Sequence, residues 1–235
     1  QNIVSNGAYK LKQWIINEKI TAERNPFYWN DKKTLINTSE YLFQESLASA
    51  YQRYQAKELD LTWIPVEQIP HIQKNTPSAL LVVPRLTTEF YTFNVAKPPF
   101  DNEKVRKALY LTLDRPLIAE HIIGLRKPAA TLTPPDVDGF TAPNIAELNQ
   151  PLTDRVKQAK KLLNDAGYNE KHPLQFEIFY NKYATHEKVA LALASEWKKQ
   201  LGADVKLRTM EWKTYLGERN MGNFQLSRMS IDAEY

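Results

Sequence analysis

An α/β fold is predicted for the second half of this 235-residue chain, and three observations carry that prediction. Residues 174–228 alternate between two periods: Leu174, Phe176 and Ile178 share one strand face, whereas Val189, Leu193, Trp197 and Leu201 recur at helical spacing. Val205 with Leu207, then Phe224, Leu226 and Arg228, return to the strand period. Glycines stand where helices must stop, at Gly167 and Gly202. Strands that alternate with helices imply a largely parallel sheet with covered faces. Ligands of such sheets gather beyond the carboxyl ends of strands, which here are Asn181, the Met210-Glu211-Trp212 turn, and Ile231 to Tyr235.

The first half reads as a hairpin, Ala8–Leu11 with Lys19–Arg24, turning near Asn17-Glu18. A loop punctuated by Asn25-Pro26 and Asn30-Asp31 follows, then a short strand at Tyr41–Phe43. Glu45 to Glu58 is expected to be an amphipathic helix with Leu47, Ala50, Tyr51 and Tyr54 along one stripe. Strands are expected at Leu59–Trp63, Ala79–Val83 and Glu89–Val95, with Pro65 in the first turn of a short helix.

Val105, Ala108 and Leu109 mark the next helix. Asp114-Arg115-Pro116 opens another, with Ile118 and Ile122 inward and Gly124 as its stop. A Pro-rich linker spans Pro134 to Pro151. Thr153 is expected to cap a helix carrying Val156, Ala159, Leu162 and Leu163, and Glu211 to Arg219 to form a helix with Trp212, Tyr215 and Leu216 inward.

Composition narrows the function. Thirty-one basic residues against 27 acidic ones leave +4, a balance that argues against a nucleic-acid partner, whose binders carry a concentrated basic face. Absence of cysteine excludes disulfides and cysteine-ligated metal. The longest clean apolar run, Ala79 to Val83, is far short of the ~20 residues of a membrane helix. The chain opens at Gln1 without a leader, so any signal peptide has already gone, and it stops after a strand-like run, so a piece of a longer protein is expected.

No phosphate-cradling glycine loop, nucleophile elbow or Ser-x-x-Lys motif is present, and His186-Glu187 lacks the second histidine of a zinc helix because position 190 is Ala. Neither a metal nor a cofactor is expected. Asp232 and Glu234, two apart on a strand, would share a face, suited either to a cation or ammonium group or to a solvated chain end. Arg219 and Arg228 fall on inward faces and need partners, either an internal carboxylate or a ligand carboxylate held by the planar fork.

Several blocks taken together resemble the extracellular solute-binding proteins of family 5, the oligopeptide- and dipeptide-binding components of peptide ABC transporters. They are Gly7-Ala8-Tyr9-Lys10-Leu11, Glu23-Arg24-Asn25-Pro26-Phe27-Tyr28-Trp29, Phe93-Asn94 with Pro99-Phe100, Val105-Arg106-Lys107-Ala108-Leu109 with Asp114-Arg115, Ala159–Leu163 with Ala166-Gly167-Tyr168, and Glu211–Leu216. The resemblance implies a two-lobe periplasmic-binding-protein-like fold (class II, cluster C), with mixed sheets flanked by helices, of which this chain is an incomplete middle portion. Residues 1–86 would belong to the lobe that bears the termini and residues 87–235 to the second lobe, with a hinge near 87–91.

The resemblance also implies site residues. Ser230, Ile231 and Asp232 would pair with the main chain of an extended peptide. Glu234 would hold its ammonium group, and Arg219 and Arg228 its carboxylate or nearby acidic groups. Asn181, His186, Trp212, Leu216, Asn220, Tyr91 and Trp63 would line pockets. Thr88 and Asp232 stand where relatives often place a disulfide. The implied partners are a short peptide and the membrane permease subunits of the transporter, with no nucleic acid. The implied protein is a monomeric, non-enzymatic binder, periplasmic or lipid-anchored on the outer face of the cytoplasmic membrane. Rival readings are another cargo (murein tripeptide, dipeptide, haem or an antimicrobial peptide) or an α/β hydrolase.

Overall fold

The computed structural model describes residues 3–44, 46–83, 85–134 and 137–232. Its contacts divide between Asn75 and Thr76 into two units.

The first unit holds an antiparallel meander, β1 (Tyr9–Ile15), β2 (Lys19–Arg24) and β3 (Thr38–Leu42), in that spatial order. The β1–β2 turn uses Asn17 at φ 60°, a left-handed conformation that asparagine tolerates better than most residues. Asn25 organises the loop that follows: its amide donates to the Ser5 and Gly7 carbonyls, and its Oδ1 accepts from the Phe27 N–H. Helices α1 (Leu47–Gln55) and α2 (Ile69–Asn75) complete the unit, α1 capped by the Ser46 hydroxyl. Glu45, expected to begin α1, lies outside the described residues.

In the second unit a four-stranded sheet runs in the order β4 (Thr87–Phe93), β7 (Leu226–Asp232), β5 (Gln175–Asn181), β6 (Asp204–Met210). β5 is parallel to both β6 and β7, whereas β4 is antiparallel to β7, so the sheet is mixed. Around it lie α3 (Glu103–Leu111), a π-helical segment (Leu117–Ile123), α4 (Leu152–Asp165), α5 (Ala184–Leu201) and α6 (Trp212–Asn220). Phe176, Ile178 and Leu226 from the sheet meet Val105 and Leu109 of α3, Leu163 of α4, and Leu193 and Trp197 of α5. Phe176 is met edge-on by both Phe100 and Trp197, with centroids 5.2 and 5.5 Å away, an arrangement aromatic quadrupoles favour. Trp197 satisfies its indole N–H on the Leu109 carbonyl at 3.3 Å.

Some local expectations are corrected. Leu59–Trp63 and Ala79–Val83 are not strands: neither finds a pairing partner among the described residues, and Leu61, Leu81, Val82 and Val83 stay exposed. Apolar alternation over five residues cannot supply the ladder that makes a strand. Thr153 does not cap α4, because the helix begins one residue earlier and Pro151 occupies the cap position. Proline can lead a helix there because its missing N–H is one the first turn leaves unpaired anyway.

Candidate functional site

The site is built where β7 outruns β5. β7 pairs with β4 along its length, from Phe93↔Leu226 to Thr87↔Asp232, but with β5 only at Ile178↔Leu226 and Phe179↔Ser227. Beyond Ser227, one edge of β7 therefore carries no strand partner among the described residues. The Arg228 carbonyl on this stretch accepts from the Tyr215 hydroxyl of α6, which also lies 2.8 Å from the Ser227 hydroxyl.

Polar side chains collect beside that edge. Cross-strand register sets Tyr91 opposite Arg228 and Glu89 opposite Ser230, and the alternation of a strand puts all four on one face. Arg228 is 8% exposed, and its Nε donates to Glu89 Oε1 at 3.2 Å. At the carboxyl end of β5, Asn181 is buried with its Oδ1 unpartnered. His186, in the first turn of α5, brings its Nδ1 to 3.4 Å from the Asn181 carbonyl oxygen. Its ring also lies against Tyr183, centroids 5.0 Å apart.

Electrostatics tie these groups together. Burial and the neighbouring Arg228 charge hold His186 below its ordinary pKa, with Glu89 opposing them. Burial pushes the Tyr91 hydroxyl up, Glu89 adds to the rise, and Arg228 opposes it. Tyr215 is pushed up by burial, while Ser227, Arg219 and Arg228 pull it back. A buried hydroxyl on Tyr91, the Asn181 Oδ1 and the Arg219 Nε all lack hydrogen-bond partners. Native proteins satisfy nearly all buried polar atoms, so these orphans, with two others on Thr92 and Gln200, need partners that the described residues do not supply.

The sequence-predicted residues thus divide. Asn181, His186, Tyr91, Arg228 and Ser230 are brought together. Arg219, Leu216, Trp212 and Asn220 follow on α6, with Trp212 half-exposed and stacked on Tyr215 at 5.9 Å, and Asn220 exposed. Ile231 is exposed at the end of β7. Asp232 already has two partners, accepting from Thr87 Oγ1 and from an Arg85 N–H at 3.2 Å. The ladder sets Thr87 opposite Asp232 and Thr88 opposite Ile231. Trp63 belongs to the first unit and is exposed there. Glu234, and with it the shared face expected for Asp232 and Glu234, lies outside the described residues. Glu89 was missed, although its place two residues before Tyr91 on a strand was the available signal.

A separate open concavity of about 500 Å³ is lined by residues including Lys97, Glu177, Lys206 and Arg208, and shares no residue with this cluster. Its charges are partly self-paired, Arg208 Nε lying 2.7 Å from Glu177 Oε1. Chemistry favours the cluster, where polar atoms are left unsatisfied.

Comparison with known proteins decides the family. Residues 1–235 match the bacterial extracellular solute-binding proteins, family 5, in their middle portion. The chain belongs to that family. It is 56% identical over 235 residues to the probable deoxycholate-binding periplasmic protein YgiS of Escherichia coli, covering 100% of this chain and 44% of that protein. Over 241 residues it is 43% identical to the periplasmic oligopeptide-binding protein OppA of Haemophilus influenzae, again covering 100% and 44%. The solved murein tripeptide binding protein MppA of Escherichia coli superposes with a TM-score of 0.90 at 38% identity, covering 98% of this chain and 46% of that one. The chain thus spans less than half the length of these relatives. Their fold, that of periplasmic binding proteins, is the fold expected from the resemblance. Among the described residues no helix is long and apolar enough to cross a membrane.

Proposed function

We propose that this chain is the middle portion of a periplasmic binding protein that captures short peptides between two lobes and hands them to the permease subunits of an ABC transporter. The observation that carries the reading is the unpaired edge of β7, which offers main-chain groups to an extended guest beside a cluster of unsatisfied polar atoms. Residues 1–86 would contribute to the lobe bearing the termini and 87–235 to the other, with the hinge near 87–91. Ser230, Ile231 and Asp232 supply the pairing edge, Glu234 the ammonium acceptor, and Arg219 or Arg228 the carboxylate donor. Asn181, His186, Tyr91, Trp212, Leu216, Asn220 and Trp63 shape the pockets. The role is binding rather than catalysis, by a monomer with no nucleic-acid partner.

Calorimetry on the full-length protein with trialanine and its N-acetylated form tests this. Glu234→Gln weakens the free-amino peptide and spares the blocked one; equal loss for both rejects the ammonium assignment.

A second reading is favoured by the 56% identity to a relative named for deoxycholate. An amphipathic steroid carboxylate would use an arginine for its acid and exposed Ile231 and Trp212 for its apolar face. Deoxycholate that binds, and that trialanine fails to displace, would favour this cargo.

A further inference from the structure

The main chain of β7 faces two edges, and two hydrogen bonds tell which residues face which. The Asn94 N–H donates to the Gln225 carbonyl from the β4 side. Three positions on, the Arg228 carbonyl accepts from Tyr215, whose ring rests on Phe179 of β5. In a strand the N–H and C=O of one residue point to one edge and those of the next residue to the other. Both bonds therefore agree: Ser227 and Met229 turn their main-chain groups to β4, and Arg228, Ser230 and Asp232 turn theirs away from it. β5 pairs with β7 only as far as Ser227. The Arg228 carbonyl is thus the first acceptor that β5 leaves behind, and the Tyr215 hydroxyl takes it. Ser227 Oγ crowds the same oxygen at 3.5 Å and lies 2.8 Å from the phenol.

We propose that Tyr215 ends the ladder: its phenol stands in for β5 on the Arg228 carbonyl, so that a guest strand begins its pairing at Ser230. Tyr215 is a positioning residue, which touches no cargo and fixes where cargo starts. It is fully buried, with its ring held against Phe179 at a centroid distance of 4.6 Å, so a guest does not push it aside. Ser230 and Asp232 are then the described residues of β7 whose main chain is open to a guest. They lie two apart, so an antiparallel guest pairs over about three of its own residues. Main-chain pairing of this kind fixes register without reading side chains. The inference deepens the peptide reading and rests on it.

Calorimetry on the full-length protein tests it with pentaalanine and with analogues methylated at one peptide nitrogen each. In the wild type no more than two nitrogens, two residues apart, are sensitive, and methylating either weakens binding roughly tenfold. In Tyr215→Phe the Arg228 carbonyl is released, and one further nitrogen, two residues along the peptide, becomes sensitive to the same degree. A third sensitive nitrogen in the wild type overturns the inference. So does a Tyr215→Phe protein that weakens every analogue equally and adds no sensitive nitrogen, as a merely structural tyrosine would.

Amide exchange of the unliganded full-length protein, followed by NMR, needs no cargo. In the wild type the Ser230 and Asp232 N–H groups exchange freely, whereas Met229, opposite Phe90 of β4, is protected. The Met229 N–H shares a peptide plane with the Arg228 carbonyl, so Tyr215→Phe speeds its exchange roughly tenfold more than that of Ser227. A protected Ser230 N–H in the wild type, or equal acceleration along β7 in the variant, overturns the role of Tyr215. If no peptide binds the wild-type protein, the peptide reading fails, and the exchange pattern alone decides whether Tyr215 ends the ladder.

Discussion

The Tyr215 hydroxyl lies 2.8 Å from the Ser227 hydroxyl and also donates to the Arg228 carbonyl, so one buried phenol fastens α6 to β7 where β7 leaves β5. Tyr215 is fully buried and rests its ring on Phe179 with centroids 4.6 Å apart. Removing only the oxygen leaves the packing and takes a partner from two buried polar atoms, the Ser227 hydroxyl and the Arg228 carbonyl. Tyr215→Phe is expected to cost about 1–3 kcal/mol in urea unfolding of the second unit. A loss smaller than a few tenths would mean that the phenol is not a fastening.

Trp197 joins α5 to both the sheet and α3, with its ring edge-on to Phe176 and its N–H on the Leu109 carbonyl. Trp197→Ala opens a cavity that rigid neighbours cannot fill, at a cost of roughly 3–5 kcal/mol. Trp197→Phe keeps much of the volume and loses the hydrogen bond, so its denaturation midpoint should fall between those of the wild type and the alanine variant.

His186 makes stability depend on pH. Its pKa is lowered on folding from an ordinary value of 6.5, chiefly by burial and then by Arg228. The unfolded chain therefore binds the proton at higher pH than the folded one, and stability falls as pH drops below 6.5 toward the folded value. His186→Asn should flatten this slope. Unfolding midpoints measured at about pH 7.5 and about pH 5.5 compare the two proteins, and an unchanged slope would remove His186 from the account.

Gly202 ends α5 at φ 70° and ψ 17°, a left-handed turn that lets the following Ala203 N–H reach back to the Trp197 carbonyl. A Cβ added there meets no neighbour, so the penalty is conformational alone. Gly202→Ala is expected to cost about 1–2 kcal/mol by thermal melting, and Gly202→Asn less.

Much of the second unit was legible because its elements are long and their periods strong. The stripe of Val189, Leu193 and Trp197, closed by Gly202, gives α5 almost to the residue. Leu59–Trp63 misled because alternation marks a strand only when a neighbour completes the ladder, and none does. For the site, the carboxyl ends of parallel strands pointed to Asn181, which the structure places at the end of β5. The Arg228–Glu89 pair was invisible, since its members lie 139 positions apart and only the β4–β7 register joins them. The same register sets Thr87 opposite Asp232 and turns Thr88, one residue on, to the other face.

The order of the sheet, β4-β7-β5-β6, has a consequence for how the protein is made. β4 is synthesised before the other three strands, yet its only strand neighbour in the described sheet is β7, which comes last of the four. At a translation speed of roughly 5–20 residues per second, β4 waits many seconds with both edges open. β7 must then slide between two strands already present rather than add to a margin. Such late, non-local closure is slow and leaves sticky edges in the interim. A chain kept unfolded or shielded until β7 has been added is spared that interval.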